Sequence, residues 1–221
     1  MELQHSIRKP VTCEGVGLHT GVPVTMTLQS RRTGSRRGLR RRARGHCASR
    51  FCPESLINGH YATTIGADGV QIQTVEHLLA AVRGLGIDNL LIELNGPELP
   101  AMDGSSAPFV SLLYTAGRDA QVAVRRPPLR VVEPIRVGDE HRWIQLLPAG
   151  EFRISYTLDH EHPAVGVQVA SFVPTERVFV EELAPARTYG FLKDLELLRQ
   201  QGLALGGSLG QRRRGRARSG S

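Results

Sequence analysis

Residues 74–110 read Thr74-Val75-Glu76-His77-Leu78-Leu79-Ala80-Ala81-Val82-Arg83-Gly84-Leu85-Gly86-Ile87-Asp88-Asn89-Leu90-Leu91-Ile92-Glu93-Leu94-Asn95-Gly96-Pro97-Glu98-Leu99-Pro100-Ala101-Met102-Asp103-Gly104-Ser105-Ser106-Ala107-Pro108-Phe109-Val110. The pattern is helix, tight turn, strand, loop, helix. Val75, Leu78, Leu79 and Val82 recur at helical spacing and form one apolar stripe. Gly84 and Gly86 end the helix, because glycine accepts the left-handed conformation that a helix stop needs. Leu90 to Leu94 has the length of a short apolar strand, and Asn95-Gly96-Pro97 breaks it. Ser105 or Ser106 is placed to cap a second helix running from Phe109 to Tyr114.

Glu76 and His77 sit side by side in the first turn of the first helix. A neutral histidine nitrogen can hold a metal, and a neighbouring carboxylate can take a proton from water. The plainer alternative is a solvated helix start, where the dipole favours a carboxylate. The pair is not the His-Glu-x-x-His zinc pattern, since no second histidine lies one turn away.

The whole stretch resembles the UDP-3-O-acyl-N-acetylglucosamine deacetylases, the LpxC family of zinc hydrolases in lipid A biosynthesis. The resembling blocks are Thr74 to Leu78, Gly84 to Asn89 and Glu93 to Ser105. Further blocks are Gly15-Val16-Gly17-Leu18-His19-Thr20-Gly21, Ala186-Arg187-Thr188-Tyr189-Gly190-Phe191 and Gly202 to Ser208. The resemblance implies an α+β fold of two similar domains, each a sheet layered against helices, with the active site at their interface. It implies His77 as a Zn2+ ligand and Glu76 as the base that activates water toward the N-acetyl carbonyl of UDP-3-O-acyl-N-acetylglucosamine. Thr188 would donate to the developing oxyanion. In relatives a later His-x-x-x-Asp helix supplies two more zinc ligands, and a further histidine serves as acid or charge stabiliser. Neither is found in these 221 residues. The expectation is therefore an incomplete second domain, with unpaired sheet edges that invite aggregation. Weak zinc binding and impaired activity are expected with it.

Charge is unevenly placed. The formal net charge is +7, yet residues 31–50 hold nine arginines and residues 211–221 five more. Outside those two tracts, 14 basic residues face 21 acidic ones, a net of −7. Residues 30–58 lack apolar periodicity and are expected to stay without regular structure. They read as an RNA-binding arm, a solvated insertion, or sequence out of frame. The last is favoured, because arginine- and glycine-rich text is what a GC-rich gene gives in a wrong frame. A second frame change accounts equally for the basic end after Leu209. A nucleic-acid-binding protein using both arginine tracts is the alternative function, since clustered cations suffice for phosphate contact. Neither tract is interleaved with aromatics, so no nucleic-acid partner is expected.

The remaining readings are coarser. Residues 1–29 are read as strand, turn, strand, with His19 a structural turn residue. Two strands flank Ala67-Asp68-Gly69. Residues 117–128, polar and proline-marked, are read as a domain boundary. That gives domains at 1–124 and 125–209, with a disordered basic tail at 210–221. Leu129–Val132, Ile135–Val137, Trp143–Leu147, Phe152–Leu158 and Val165–Phe172 are read as a β-meander. His160 and His162 would share a strand face, but by the resemblance the His-Pro element is structural and not a ligand site. Helices are expected at Val178–Leu183 and Phe191–Gln201. Three cysteines at irregular spacing, no 18-residue apolar run and no signal peptide fit a cytoplasmic monomer.

Overall fold

The structure, a computed structural model, describes residues 3–31, 38–42, 46–50, 53–67, 69–124 and 129–207. The chain is mixed α+β.

Its centre is a five-stranded sheet. In spatial order the strands are β2 (Val11–Val16), β3 (Pro23–Ser30), β9 (Leu90–Leu94), β4 (Gly38–Arg42) and β5 (His46–Arg50). β3 alternates, and its Val24, Met26 and Leu28 all face inward. They are met across the antiparallel register by β9, with Met26 opposite Leu94 and Leu28 opposite Ile92. A period of two puts every second side chain on one face, so one face of this pair is wholly apolar.

Two helices cover that face. In α1 (Glu76–Gly84), Val75, Leu78 and Val82 are buried and Leu79 packs against the core, as the stripe requires. The helix ends at Gly84, and Gly86 follows with φ 64°. In α2 (Ala107–Ala116), Phe109, Val110, Leu113 and Ala116 are buried at helical spacing. Pro108 in the first turn costs nothing, because no intrahelical acceptor awaits its nitrogen. The N-cap position is Ser106, but its side chain makes no capping bond. Its hydroxyl donates instead to the carbonyl of His77 at 2.9 Å. Ser105 Oγ accepts the Ala107 N–H at 3.2 Å.

A three-stranded sheet of β6, β7 and β8 spans Leu56–Asn58, Thr64–Ala67 and Val70–Ile72. The hairpin expected around residues 67–69 is present as β7 and β8. Asp68 lies outside the described residues.

Four expectations are corrected. First, residues 30–58 are not devoid of regular structure. β4 pairs parallel with β9, β5 pairs antiparallel with β4, and a short 3-10 turn (Pro53–Ser55) leads into β6. Sheet ladders are made by backbone N–H and C=O groups, which an arginine-rich strand carries as well as an apolar one. Second, the N-terminal strand pair is preceded by β1 (Leu3–Ile7). Third, in the stretch 117–128, for which no strand is read, β10 (Arg118–Val124) pairs antiparallel with β1, from Ile7 opposite Arg118 to Leu3 opposite Val124. Asn89 fastens that pair, donating through Nδ2 to Gln4 Oε1 and Gln121 Oε1, each at 2.7 Å. Fourth, residues 129–172 are two separate hairpins and not a meander. β11 (Ile135–Gly138) pairs only with β12 (Trp143–Leu146), and β13 (Ile154–His160) only with β14 (Gly166–Phe172), among the described residues. Leu129–Val132 forms no strand and its leucine is fully exposed.

After β14 the chain returns to the first core. α3 (Glu176–Val178) runs into a wider π-helical turn, Phe179–Leu183, which buries Phe179 and is followed by buried Ala184. α4 (Leu192–Gln200) is the last helix described. The expected basic tail at 210–221 lies outside the described residues.

Candidate active site

The α1 N-terminus carries the expected pair, held from two sides. Glu76 is exposed at the helix start, and its Oε1 accepts the backbone N–H of Thr63 at 2.9 Å. That bond fixes the direction of the carboxylate without using up its second oxygen. His77 is half-buried, and its backbone carbonyl is held by Ser106 Oγ. Burial pushes the His77 imidazole below its usual range, opposed by the nearby Glu76 and Asp103 carboxylates. At neutral pH the ring is therefore uncharged, the form a metal ligand must take.

Asp103 sits in the loop before α2. Its Oδ1 accepts the N–H of Ser105 at 3.0 Å and its hydroxyl at 2.8 Å. The same loop receives the Arg187-Thr188 motif. Arg187 Nε donates to the Asp103 carbonyl at 2.7 Å, and Thr188 N–H donates to the Gly104 carbonyl at 2.9 Å. Ser106 and Ala107 N–H both donate to the Ala184 carbonyl at 3.0 Å. Thr188, 112 residues after Glu76 in the chain, is thereby hung on the loop whose aspartate lies near His77. Its side chain is exposed.

His19 and the Asp159 to Pro163 segment lie apart from this group. His19 occupies the turn after β2, where it is buried, and neither ring nitrogen has a hydrogen-bond partner among the described residues. His160 Nδ1 accepts the N–H of His162 at 2.9 Å, and His162 Nδ1 accepts the N–H of Ala164 at 3.2 Å. Both rings pack on Phe191. Each Nδ1 is spent on a backbone donor, so in a neutral ring the proton sits on Nε2 and that nitrogen is no ligand. These histidines shape a turn.

A cavity of about 1070 Å³ opens beside His77, walled by His5, Arg83, Arg118, Phe152, Ile154 and Phe179 among others. It runs between α1 and the return segment after β14.

Among the described residues no group of three His, Cys, Asp or Glu side chains is close enough to hold a metal ion. His77 suits zinc chemically, but a zinc site takes about three protein ligands. Among the described residues the arrangement is therefore an imidazole beside a carboxylate, not a closed metal site.

Reading residues alone missed Thr63, Asp103 and Ser106 as parts of this arrangement. Thr63 acts through its backbone, which no side-chain pattern reveals. Asp103 lay inside a quoted motif, but Arg187, which donates to its carbonyl, is distant in sequence.

Residues 4–212 match the family described as UDP-3-O-acyl N-acetylglycosamine deacetylase, LpxC, a span that includes the arginine-rich segment. The chain is 41% identical over 217 residues to the UDP-3-O-acyl-N-acetylglucosamine deacetylase of Histophilus somni, covering 93% of this chain and 68% of that one. It is 40% identical over 216 residues to that of Syntrophotalea carbinolica, covering 95% and 68%. It is 44% identical over 207 residues to that of Myxococcus xanthus, covering 93% and 66%. The chain spans about two thirds of the length of these relatives. With the match running through nearly all of the sequence, the chain belongs to the UDP-3-O-acyl N-acetylglycosamine deacetylase family.

Proposed function

We propose that the chain carries part of a zinc-dependent deacetylase site acting on UDP-3-O-acyl-N-acetylglucosamine in lipid A biosynthesis. The observation that carries this reading is the Glu76-His77 pair. The carboxylate is aimed by Thr63 N–H, and the imidazole beside it is kept neutral by burial.

In this reading His77 is one ligand, and the others lie outside the described residues. Zinc, when bound, supplies Lewis-acid activation of carbonyl and water. Glu76 takes the proton of the attacking water through its unbonded oxygen and passes it to the departing amine. Thr188 turns its hydroxyl toward the oxygen that gains charge. The products are the free glucosamine amine and acetate.

The division into a unit at 1–124 and a second at 125–209, with the site between them, belongs to the same proposal. So does a cytoplasmic monomer without a nucleic-acid partner. Among the described residues no helix is long and apolar enough to cross a membrane. With one ligand position, the 221-residue chain by itself is proposed to bind zinc weakly and to release acetate at or near zero rate.

Zinc content of the purified chain by atomic spectrometry, beside His77→Ala and alongside acetate release from substrate, tests this. Weak zinc uptake that His77→Ala abolishes supports the reading. Zinc uptake unaltered by His77→Ala overturns it.

A further inference from the structure

We propose that Glu98 is a positioning residue for Glu76, acting through Thr74. The inference rests on the reading of Glu76 as the base and adds a residue to which that reading gives no role.

Glu98 is 1% exposed, a carboxylate buried between three segments distant in sequence. Its oxygens accept the backbone N–H of His19 at 3.0 and 3.1 Å, the N–H of Thr20 at 2.9 Å and the Thr20 hydroxyl at 2.8 Å. The Thr74 hydroxyl donates to Oε1 at 2.7 Å. Four donor groups meet a carboxylate that offers about four lone-pair directions, so its hydrogen-bonding capacity is filled. Gly17 completes the cradle, since a Cβ there would overlap Glu98 Oε2 and Thr20 Oγ1.

Thr74 is where this network reaches the site. It is buried, and its φ of 57° lies in the left-handed region that a β-branched residue avoids. Such a conformation persists only when its surroundings over-determine it. Two ties do so. The Gln73 N–H donates to the Pro97 carbonyl at 3.0 Å, and the Leu99 N–H to the Gln73 carbonyl at 3.1 Å, bracketing Glu98 on both sides. The second tie is the Thr74 hydroxyl on Glu98 itself. Val75 follows as the N-cap position of α1, then Glu76. The left-handed step at Thr74 therefore sets the direction in which α1 starts, and with it where the Glu76 carboxylate lies. Buried carboxylates held by charge-assisted bonds are rigid anchors, and this one joins the Gly17–Gly21 turn to the helix start.

The Thr63 amide reports the outcome, because it donates to Glu76, whereas the Thr74 hydroxyl and the Glu98 carboxylate are bonded to each other. Its hydrogen exchange in the full chain, read by NMR, is compared in wild type, Thr74→Val, Thr74→Ser and Glu98→Gln. Thr74→Val keeps the side-chain shape and removes one hydroxyl, so it decides the matter if Glu98→Gln fails to fold. Amides of the β3–β9 ladder serve as the fold control.

The expected result is Thr63 exchange about tenfold faster or more in Thr74→Val, since bonds to charged groups are worth that much. The ladder amides should be unchanged, and Thr74→Ser should restore the wild-type rate. Unchanged Thr63 exchange in Thr74→Val overturns the proposal, as does failure of Thr74→Ser to restore it. Because no turnover is measured, a failed zinc or acetate experiment counts against the functional reading alone and leaves the role of Glu98 in placing the Glu76 side chain intact.

Discussion

The backbone N–H of Thr63 and the carboxylate of Glu76 are joined at 2.9 Å, thirteen residues apart in the chain. The bond brings the loop before β7 onto the first turn of α1 and leaves one Glu76 oxygen free. A base needs both properties: a fixed direction and an unoccupied lone pair. Glu76→Gln keeps an acceptor for Thr63 and removes the proton affinity. Chemical denaturation should show its stability within about 0.5 kcal/mol of wild type, as for a surface change. Any acetate release the chain supports should fall by about 10²- to 10⁴-fold, the usual worth of a general base. A variant as active as wild type would exclude Glu76 as the base.

His77 titrates below the ordinary histidine value of 6.5, because burial penalises its charged form more than Glu76 and Asp103 favour it. The unfolded chain binds this proton more readily than the folded one, so stability present above pH 6.5 is lost as pH falls below it. Two-dimensional NMR of the imidazole should give a midpoint under 6.5. Glu76→Gln should lower it further by removing one favouring charge. A midpoint above 6.5 would show that the carboxylates outweigh burial.

Gly84 lies against the Phe179 ring, and any Cβ there would overlap it. Alanine is the better helix former by about 1 kcal/mol, yet Gly84→Ala must push a buried aromatic out of place. Overpacking of this kind costs about 1–3 kcal/mol, so the variant should unfold at lower urea concentration than wild type. A stabilised Gly84→Ala would mean that Phe179 has room to move.

Burial raises the Cys13 thiol to about 11. The thiolate is the reactive form, so iodoacetamide labelling of the Cys13 peptide in the folded chain should stay slow at about pH 8 and rise steeply only towards about pH 11. The folded chain also holds this proton more tightly than the unfolded one. The stability it contributes is complete below pH 9 and is lost as pH climbs from there to about 11. Rapid labelling at about pH 8 would place Cys13 in an open environment.

Leu28 faces Ile92 across the β3–β9 ladder, and both are essentially fully buried. Leu28→Ala should cost about 2–5 kcal/mol, the loss of transfer energy plus the cavity left behind. Urea unfolding measures it, and a loss under about 1 kcal/mol would mean the face is not packed.

Period decided what could be read from residues alone. The stripe through Val75, Leu78 and Val82, the apolar run from Leu90 to Leu94 and the stop at Gly84 to Gly86 are local signals, and each lies where its spacing puts it. The motifs around Glu76, His77 and Thr188 were legible as types of residue, and as a resemblance, but not as an arrangement. Tertiary structure alone decided that β1 pairs with β10 across more than a hundred residues, and that an arginine-rich strand lies parallel beside β9. It also decided that Glu98 gathers His19, Thr20 and Thr74 around one buried carboxylate. The physical reason is common to all three. Backbone ladders and buried charges are satisfied by whichever donors the fold delivers, so neither leaves a period in the sequence that pairs them.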